Sequence, residues 1–444
     1  MKHNILLWGW EEQDQVSAVN QFFAETKHVI GLWFTNSDNG THSYKEFFYK
    51  QPSSSTFIYT PSVYKLTDQE IAIFNTLFSR EHRSKGEDIH EIRHIAKMYF
   101  NKIIDLIDES NIHKALFSIV PITGFDFLAY TACKRLEIDT IISYQSLQPN
   151  LFFIMKKIED FGCFDTINYN NNLTNFSINW GFKKNLFYMN KRVVMNRNRS
   201  PIAQLIKGVI RYLIREGSRP MRASGVIQNY QQTKTFRRDY KDISTKMSKN
   251  NLPENFVYFP LHLQPELTTS TLGGNYSDQL DAVEDLLKIT PNNWKIICKE
   301  NPKQGHEERG RNFYNRLLSL KNVIYASKDS DTYMLIENCR FSASITGTVG
   351  WESITGLKPT LIFGHAWYRS LPGVVSYREG MTVNEIINTK IDKTKLQEKY
   401  NILMSKTHHG IMDSVYTQIY KNYSHQKNVE SLYQFLDSFC KNKL

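Results

Sequence analysis

Two doubly wound α/β domains meeting at a cleft are the fold that this 444-residue sequence predicts. Three observations lead there. Strand-like and helix-like stretches alternate over residues 1–180, the alternation restarts after Pro253, and a strongly basic connector lies between the two series. Domains of roughly 100–200 residues would divide a chain of this length into two or three. A hydrophobic share of 41% with 22% charged residues describes a globular protein with ample core, which excludes disorder as the main state.

In the first half, residues 5–8, 28–34, 56–59, 114–120 and 140–144 read as strands, short and apolar with turn signals at their ends. Helical spacing occupies 15–25, 89–107 and 125–136. In the second half, strands fit at 256–260, 294–298, 322–325, 341–345 and 360–363, and helices at 278–287, 307–318, 333–338 and 349–354. Residues 412–441 read as one or two terminal helices. The expected division is a first domain at 1–180, a connector at 181–250, a second domain at 251–400 and terminal helices at 401–444.

The five cysteines, Cys133, Cys163, Cys298, Cys339 and Cys440, are scattered and form no C-x-x-C pair. They support neither a zinc ribbon nor a disulfide framework, and a reducing cytoplasm fits them. The first apolar run, ending at Trp8-Gly9-Trp10, is too short for a signal peptide. The stretch 115–133 is interrupted by Pro121, Gly124 and Asp126, so no membrane span is expected.

The formal charge of +11 is local. Residues 183–249 hold 17 Lys/Arg against three acids, so the rest of the chain is slightly acidic. Within this segment Ser200-Pro201 caps and opens a helix over 202–216. Its Lys207, Arg211 and Arg215 line one face, opposite Leu205, Ile206, Val209, Ile210 and Leu213. Such a helix fits an anionic inner-leaflet surface, an anionic glycan, or simply solvent. RNA is a further candidate for a basic segment, but no aromatic and glycine-rich RNA-binding strand accompanies it.

Two short patterns have ordinary explanations. His90-Glu91-Ile92-Arg93-His94 matches H-E-x-x-H, yet no third zinc ligand follows, and a polar helix face accounts for it. Asp329-Ser330-Asp331 imitates a D-x-D metal clamp, yet it stands after a strand and before a helix, where caps are needed. Dinucleotide and triphosphate glycine loops are missing. Gly9 ends the first strand, where backbone can approach a ligand or simply make a tight turn, and Gly9 and Trp10 are the expected cleft residues of this half.

The second half carries three polar clusters, each just after a strand: His262, Gln264 and Glu266; Lys299, Glu300 and Asn301; and Thr346, Gly347, Thr348 and Glu352. In a parallel sheet such clusters converge on one crevice. Free N–H groups and hydroxyls at Thr346, Gly347 and Thr348 would suit a phosphate, and Glu352 a ribose, although a capped helix after a core strand fits the same spacing equally well.

The runs Pro260-Leu-His-Leu-Gln-Pro-Glu266, Lys299-Glu-Asn-Pro302, Thr346-Gly-Thr-Val-Gly-Trp-Glu352 and Phe363-Gly-His-Ala-Trp-Tyr368 resemble the bacterial capsule polysaccharide biosynthesis family, which includes β-Kdo glycosyltransferases using CMP-linked ulosonic acids. The resemblance spans about residues 256–374 and is looser before them. It implies a GT-B architecture of two Rossmann-like domains, with terminal helices crossing back to the first. It further implies a CMP-sugar as substrate, no metal or other cofactor, and a glycan or lipid-linked glycan as acceptor. Nucleic acid is not an expected partner. Lys299, Asn301, Thr346, Gly347, Thr348, Glu352, Gln264 and Glu266 are then the donor-binding residues, with His262 catalytic. The family's Lys-x-His-Pro carries Asn301 in place of histidine, which can donate a hydrogen bond but no positive charge. Pro121-Ile-Thr-Gly-Phe-Asp-Phe127 resembles the family's acidic loop, making Asp126 the expected catalytic carboxylate in a retaining transfer, with helix capping as its other reading. A UDP-sugar transferase or epimerase of similar architecture is the competing enzyme reading.

Overall fold

A computed structural model describes residues 2–36, 39–44, 47, 63–82, 89–165, 176–182, 243–264, 266–304 and 309–442. The expected strand at 56–59 and the basic helix bearing Lys207, Arg211 and Arg215 lie outside the described residues.

The first domain is built on a seven-stranded sheet. It starts with β1 (Asn4–Trp8), α1 (Gln13–Glu25), β2 (Val29–Thr35) and β3 (His42–Ser43), followed by α2 (Asp68–His82) and α3 (Ile89–Glu109). Then come β4 (Lys114–Phe117), α4 (Gly124–Arg135), β5 (Asp139–Gln145) and β6 (Leu151–Met155). Strand β1 pairs in parallel with both β2 and β4, so the strand order reverses beside it. All but the first residue of β1 is buried, as expected of a strand covered on both faces. Strand β4 stops at Phe117, three residues before the expected end, and 118–123 becomes the loop into α4.

The second domain has β7 (Phe256–Pro260), α5 (Leu267–Ser270), α6 (Gln279–Ile289), β8 (Lys295–Lys299), α7 (Arg311–Ser319), β9 (Val323–Ala326) and α8 (Thr332–Asn338). It continues through β10 (Phe341–Ser344), α9 (Val349–Thr355), β11 (Thr360–Ile362), β12 (Val374–Ser376), α10 (Val383–Ile387) and α11 (Lys393–Met404). Its six strands run β12-β11-β10-β7-β8-β9, all parallel. The first strand of the series, β7, lies between β8 and β10. This is the Rossmann order, with its switch point between β7 and β10.

The chain then returns to the first domain. Strand β13 (Thr407–His409) pairs antiparallel with β6, and α12 (His425–Cys440) packs on α1. Both ends of α12 are tied down electrostatically. At its start, the buried Asp14 carboxylate accepts from Tyr423, His425 and Asn428. At its end, the buried Lys114 ammonium donates to the Phe439 carbonyl at 3.2 Å and to Asp139 at 2.5 Å. An anion at the N-terminus and a cation at the C-terminus complement the helix dipole.

Trp10 does not face the cleft. It is fully buried, and its indole stacks on Phe435 of α12, because a φ of 57° turns the chain inward after Gly9. The two domains share one apolar core, in which Leu267, Leu272, Trp351 and Trp367 join the residues of the first sheet. Among the described residues no helix is long and apolar enough to cross a membrane.

Candidate functional site

The loops that leave β7 and β10 flank the switch point of the second sheet, and His262 holds them together. Its Nε2 lies 2.9 Å from the Ser344 hydroxyl, which also accepts from the Gly347 amide at 2.9 Å. The ring packs so closely that a Cβ at residue 347 would sit 2.9 Å from His262 Cε1, so only glycine fits there. Burial, and then the nearby Arg309 charge, push the imidazole pKa down to about 3, so His262 is neutral.

Lys299 ends β8, directly beside Pro260 of β7 in the sheet register. It is 5% exposed, and its ammonium donates to the Thr332 hydroxyl at 3.0 Å. No carboxylate among the described residues lies within ion-pair distance of it. Burial lowers its pKa, against the opposing pull of Asp331, Asp329 and Glu300. Those carboxylates attract it only from beyond ion-pair distance, so its burial stays costly, and an anionic ligand would relieve that cost. Glu352 of α9 is also buried, close enough to Tyr258 for its charge to add to the burial that raises the phenol's pKa.

Several expected ligand-binding groups instead hold the loops in place. The Gln264 side chain is consumed internally: Oε1 accepts from Gln279 at 2.8 Å and Arg309 at 3.3 Å, while Nε2 donates to the Ser277 carbonyl at 2.7 Å. Asn301 Oδ1 caps the Lys303 amide at 2.9 Å, a turn role its short amide suits. The Thr346 hydroxyl donates to the Thr268 carbonyl at 2.7 Å, and the Gly347 carbonyl accepts from Tyr368. The Thr346 hydroxyl and, through its bond to Ser344, the Gly347 amide are therefore occupied. Glu266 accepts from Thr268 at 3.2 Å and contributes to the raised pKa of Tyr144 on the first domain, where burial is the main cause.

Across the cleft, Gly9 is also forced. Its φ of +77° favours glycine, and a Cβ would collide with Ser118. Asp126 forms the capping box of α4 with Thr123 and is 6% exposed. Its carboxylate accepts from Trp8 Nε1 at 2.7 Å and from the amides of Ile122 and Thr123 at 3.3 and 3.2 Å. Burial raises its pKa, and these hydrogen bonds oppose the rise. The capping reading therefore describes its geometry. The loop before it is docked on the second domain, since Thr271 donates to the Pro121 carbonyl at 2.7 Å.

His90, Glu91 and His94 lie exposed on α3, and among the described residues no group of three His, Cys, Asp or Glu side chains could hold a metal. Asp331 caps α8 by accepting from Tyr333 at 2.9 Å, and Ser330 accepts from Met247 at 2.9 Å. Residues that the sequence reading missed include Arg309, Gln279, Gln304, Ser344 and Tyr368, which cage the switch-point loops.

Two Rossmann-type sheets, with a terminal segment crossing back to the first, define the GT-B architecture. Residues 214–430 match the family model of the capsule polysaccharide biosynthesis protein, and the resemblance read from the sequence is confirmed over that part of the chain. Among solved structures, KpsC, the β-Kdo 2,7 transferase of Thermosulfurimonas dismutans, is 10% identical, with 97% of this chain and 99% of that one covered at a TM-score of 0.35. The UDP-GlcNAc 2-epimerase of Methanocaldococcus jannaschii is 12% identical, with 99% and 100% covered at 0.24. Likenesses this distant say nothing of activity, and the fold rests on the strand order itself. No curated protein matches the chain.

Proposed function

We propose that the chain is a glycosyltransferase moving a Kdo-like or nonulosonic, sialic-acid-like sugar from a CMP-linked donor to a bacterial surface glycan, without a metal. The observation that carries this reading is Lys299, a buried ammonium without a described counterion. It stands beside a Rossmann switch point, inside the segment that matches the capsule biosynthesis family. A single ammonium suits the one phosphodiester of a CMP-sugar better than the diphosphate of a UDP-sugar, because Arg309 nearby is already neutralised by Glu300. In the transfer, the bond between the anomeric carbon and the phosphate oxygen breaks and CMP leaves with the electron pair. An acceptor oxygen bonds the sugar and gives its proton to a base. Asp126, the one acidic side chain of the loop that resembles the family's, is the candidate carboxylate for a retaining course.

The test is release of free CMP from CMP-Kdo and several CMP-nonulosonates, with UDP-sugars and RNA alongside. CMP release that depends on a glycan acceptor is expected. UDP turnover, or salt-sensitive RNA binding without CMP release, would overturn the reading. The basic segment carrying Lys207, Arg211 and Arg215 is proposed to rest on anionic lipid, where a lipid-linked acceptor would be presented. Co-sedimentation with liposomes should require anionic lipid, weaken with salt and vanish when the three residues become Glu; indifference to all three conditions removes this part of the proposal.

A further inference from the structure

The loop that carries His262 is held by an ion pair with no exposed atoms. The side chains of Glu300 and Arg309 are both fully buried. Arg309 grips Glu300 with two N–H groups, Nη2 to Oε1 at 2.8 Å and Nε to Oε2 at 3.0 Å. The remaining acceptor capacity of the carboxylate is filled by Tyr314 at 3.0 Å, Tyr325 at 3.1 Å and the Asn301 amide at 2.8 Å. Arg309 then reaches past the pair, donating from Nη2 to the His262 carbonyl at 2.5 Å and from Nη1 to Gln264 Oε1 at 3.3 Å. Gln279 completes the clamp, accepting from the His262 amide at 2.7 Å and donating to its carbonyl at 3.2 Å.

Burying two charges costs more than burying apolar side chains of equal volume, so core stability alone does not account for such a pair. What an apolar pair could not supply is a fork of directed donors at the far side. The fork fixes the His262 peptide, and that peptide aims the imidazole at Ser344. Ser344 in turn sets the Gly347 amide and the opening between the two switch-point loops. We infer that Glu300 and Arg309 are positioning residues, which act on ligand binding only by holding His262 and the loop after β7 in register with the loop after β10. This inference rests on the donor reading only for the choice of CMP as probe.

The experiment uses the full chain labelled with 15N-histidine, the His262 signal being assigned by its loss in His262→Asn. Arg309→Lys keeps the charge but removes the fork. It should shift the His262 ring nitrogens and raise the imidazole pKa toward an ordinary value. It should also weaken CMP binding on the order of tenfold, as a small misplacement of a binding group does. Glu300→Gln combined with Arg309→Met removes both charges, so the variant is not left with a lone buried ion. It should fold, show the same His262 shift and bind CMP as weakly as Arg309→Lys does. A folded double variant with the wild-type His262 spectrum and CMP affinity would overturn the inference. If wild-type protein binds no CMP, the donor reading fails, while the His262 spectrum still decides whether the pair positions the ring.

Discussion

At the scale of single residues, Lys299 and His262 are charged and titratable groups held against their solution preference, and each makes a prediction. A buried ammonium whose one hydrogen-bond partner among the described residues is a hydroxyl contributes little to the fold. Lys299→Met should therefore leave the melting temperature unchanged or raise it, while weakening CMP binding by about 1.5–3 kcal/mol, the worth of a charged hydrogen bond. Calorimetric titration beside thermal melting separates the two effects; a variant that loses stability and keeps affinity would make Lys299 structural. For His262, the folded-state pKa of about 3 lies below the reference of 6.5, so the unfolded chain takes up the proton first. The contribution of neutral His262 to stability is whole above about pH 6.5 and is lost as pH falls from there toward 3. Denaturant titrations of wild type and His262→Asn should differ most above pH 6.5 and converge as pH drops. Parallel curves across that range would show that the ring titrates freely.

Among the elements, α4 sets the hardest question, because its N-terminal capping box uses the proposed catalytic carboxylate. Asp126→Asn weakens the cap and the bond from Trp8, and should cost about 1 kcal/mol of stability, the usual scale for a capping group. Trp8→Phe removes the same 2.7 Å bond and leaves the carboxylate in place. If Asp126 does chemistry, CMP release should fall far more in Asp126→Asn than in Trp8→Phe at matched stability. Equal losses in both would leave Asp126 as a cap alone.

The elements also show what a sequence discloses. Strands β7, β8, β9, β10 and β11 were legible within a residue or two, because a parallel strand covered on both faces must be a continuous apolar run. Strands β3, β6, β12 and β13 were not; the three at sheet edges, two or three residues long, exist only through their partners. Helices α2, α10 and α11 were also missed. Within the site, Lys299 and His262 stood out because each ends or follows a strand. Arg309, Gln279 and Gln304 did not, for they come from separate turns and helices and meet only after folding. For Thr346 and Gly347 the strand-to-helix turn was correctly placed, and the structure adds that the Thr346 hydroxyl and the Gly347 amide are taken by Thr268 and Ser344. Glu300 was the available hint, a charge at the end of a buried strand with two tyrosines downstream.

On the scale of the whole molecule, the domains are locked at a place where neither can yield. Residues 158–164 of the first domain lie on the loop 365–370 of the second, with Ser370 donating to the Gly162 carbonyl at 2.7 Å and Arg369 to that of Glu159. At the centre is Gly162, with φ at +89°, where a Cβ would run into the Ala366 carbonyl and approach Arg369 Cγ to 2.8 Å. Gly162→Ala thus adds two penalties. The left-handed backbone costs about 1–2 kcal/mol, and forcing a methyl into packed backbone costs about 1–3 kcal/mol more. Gly380 supplies the control, since its φ of +79° is similar and open space surrounds its Cβ position. Gly380→Ala should carry the backbone penalty alone. If contact at Gly162 sets the cleft, Gly162→Ala should melt lower than Gly380→Ala, and X-ray scattering should show a larger radius of gyration in the first variant only. Equal melting and equal radii would mean that the shared apolar core around Trp351 and Trp367 holds the domains together by itself.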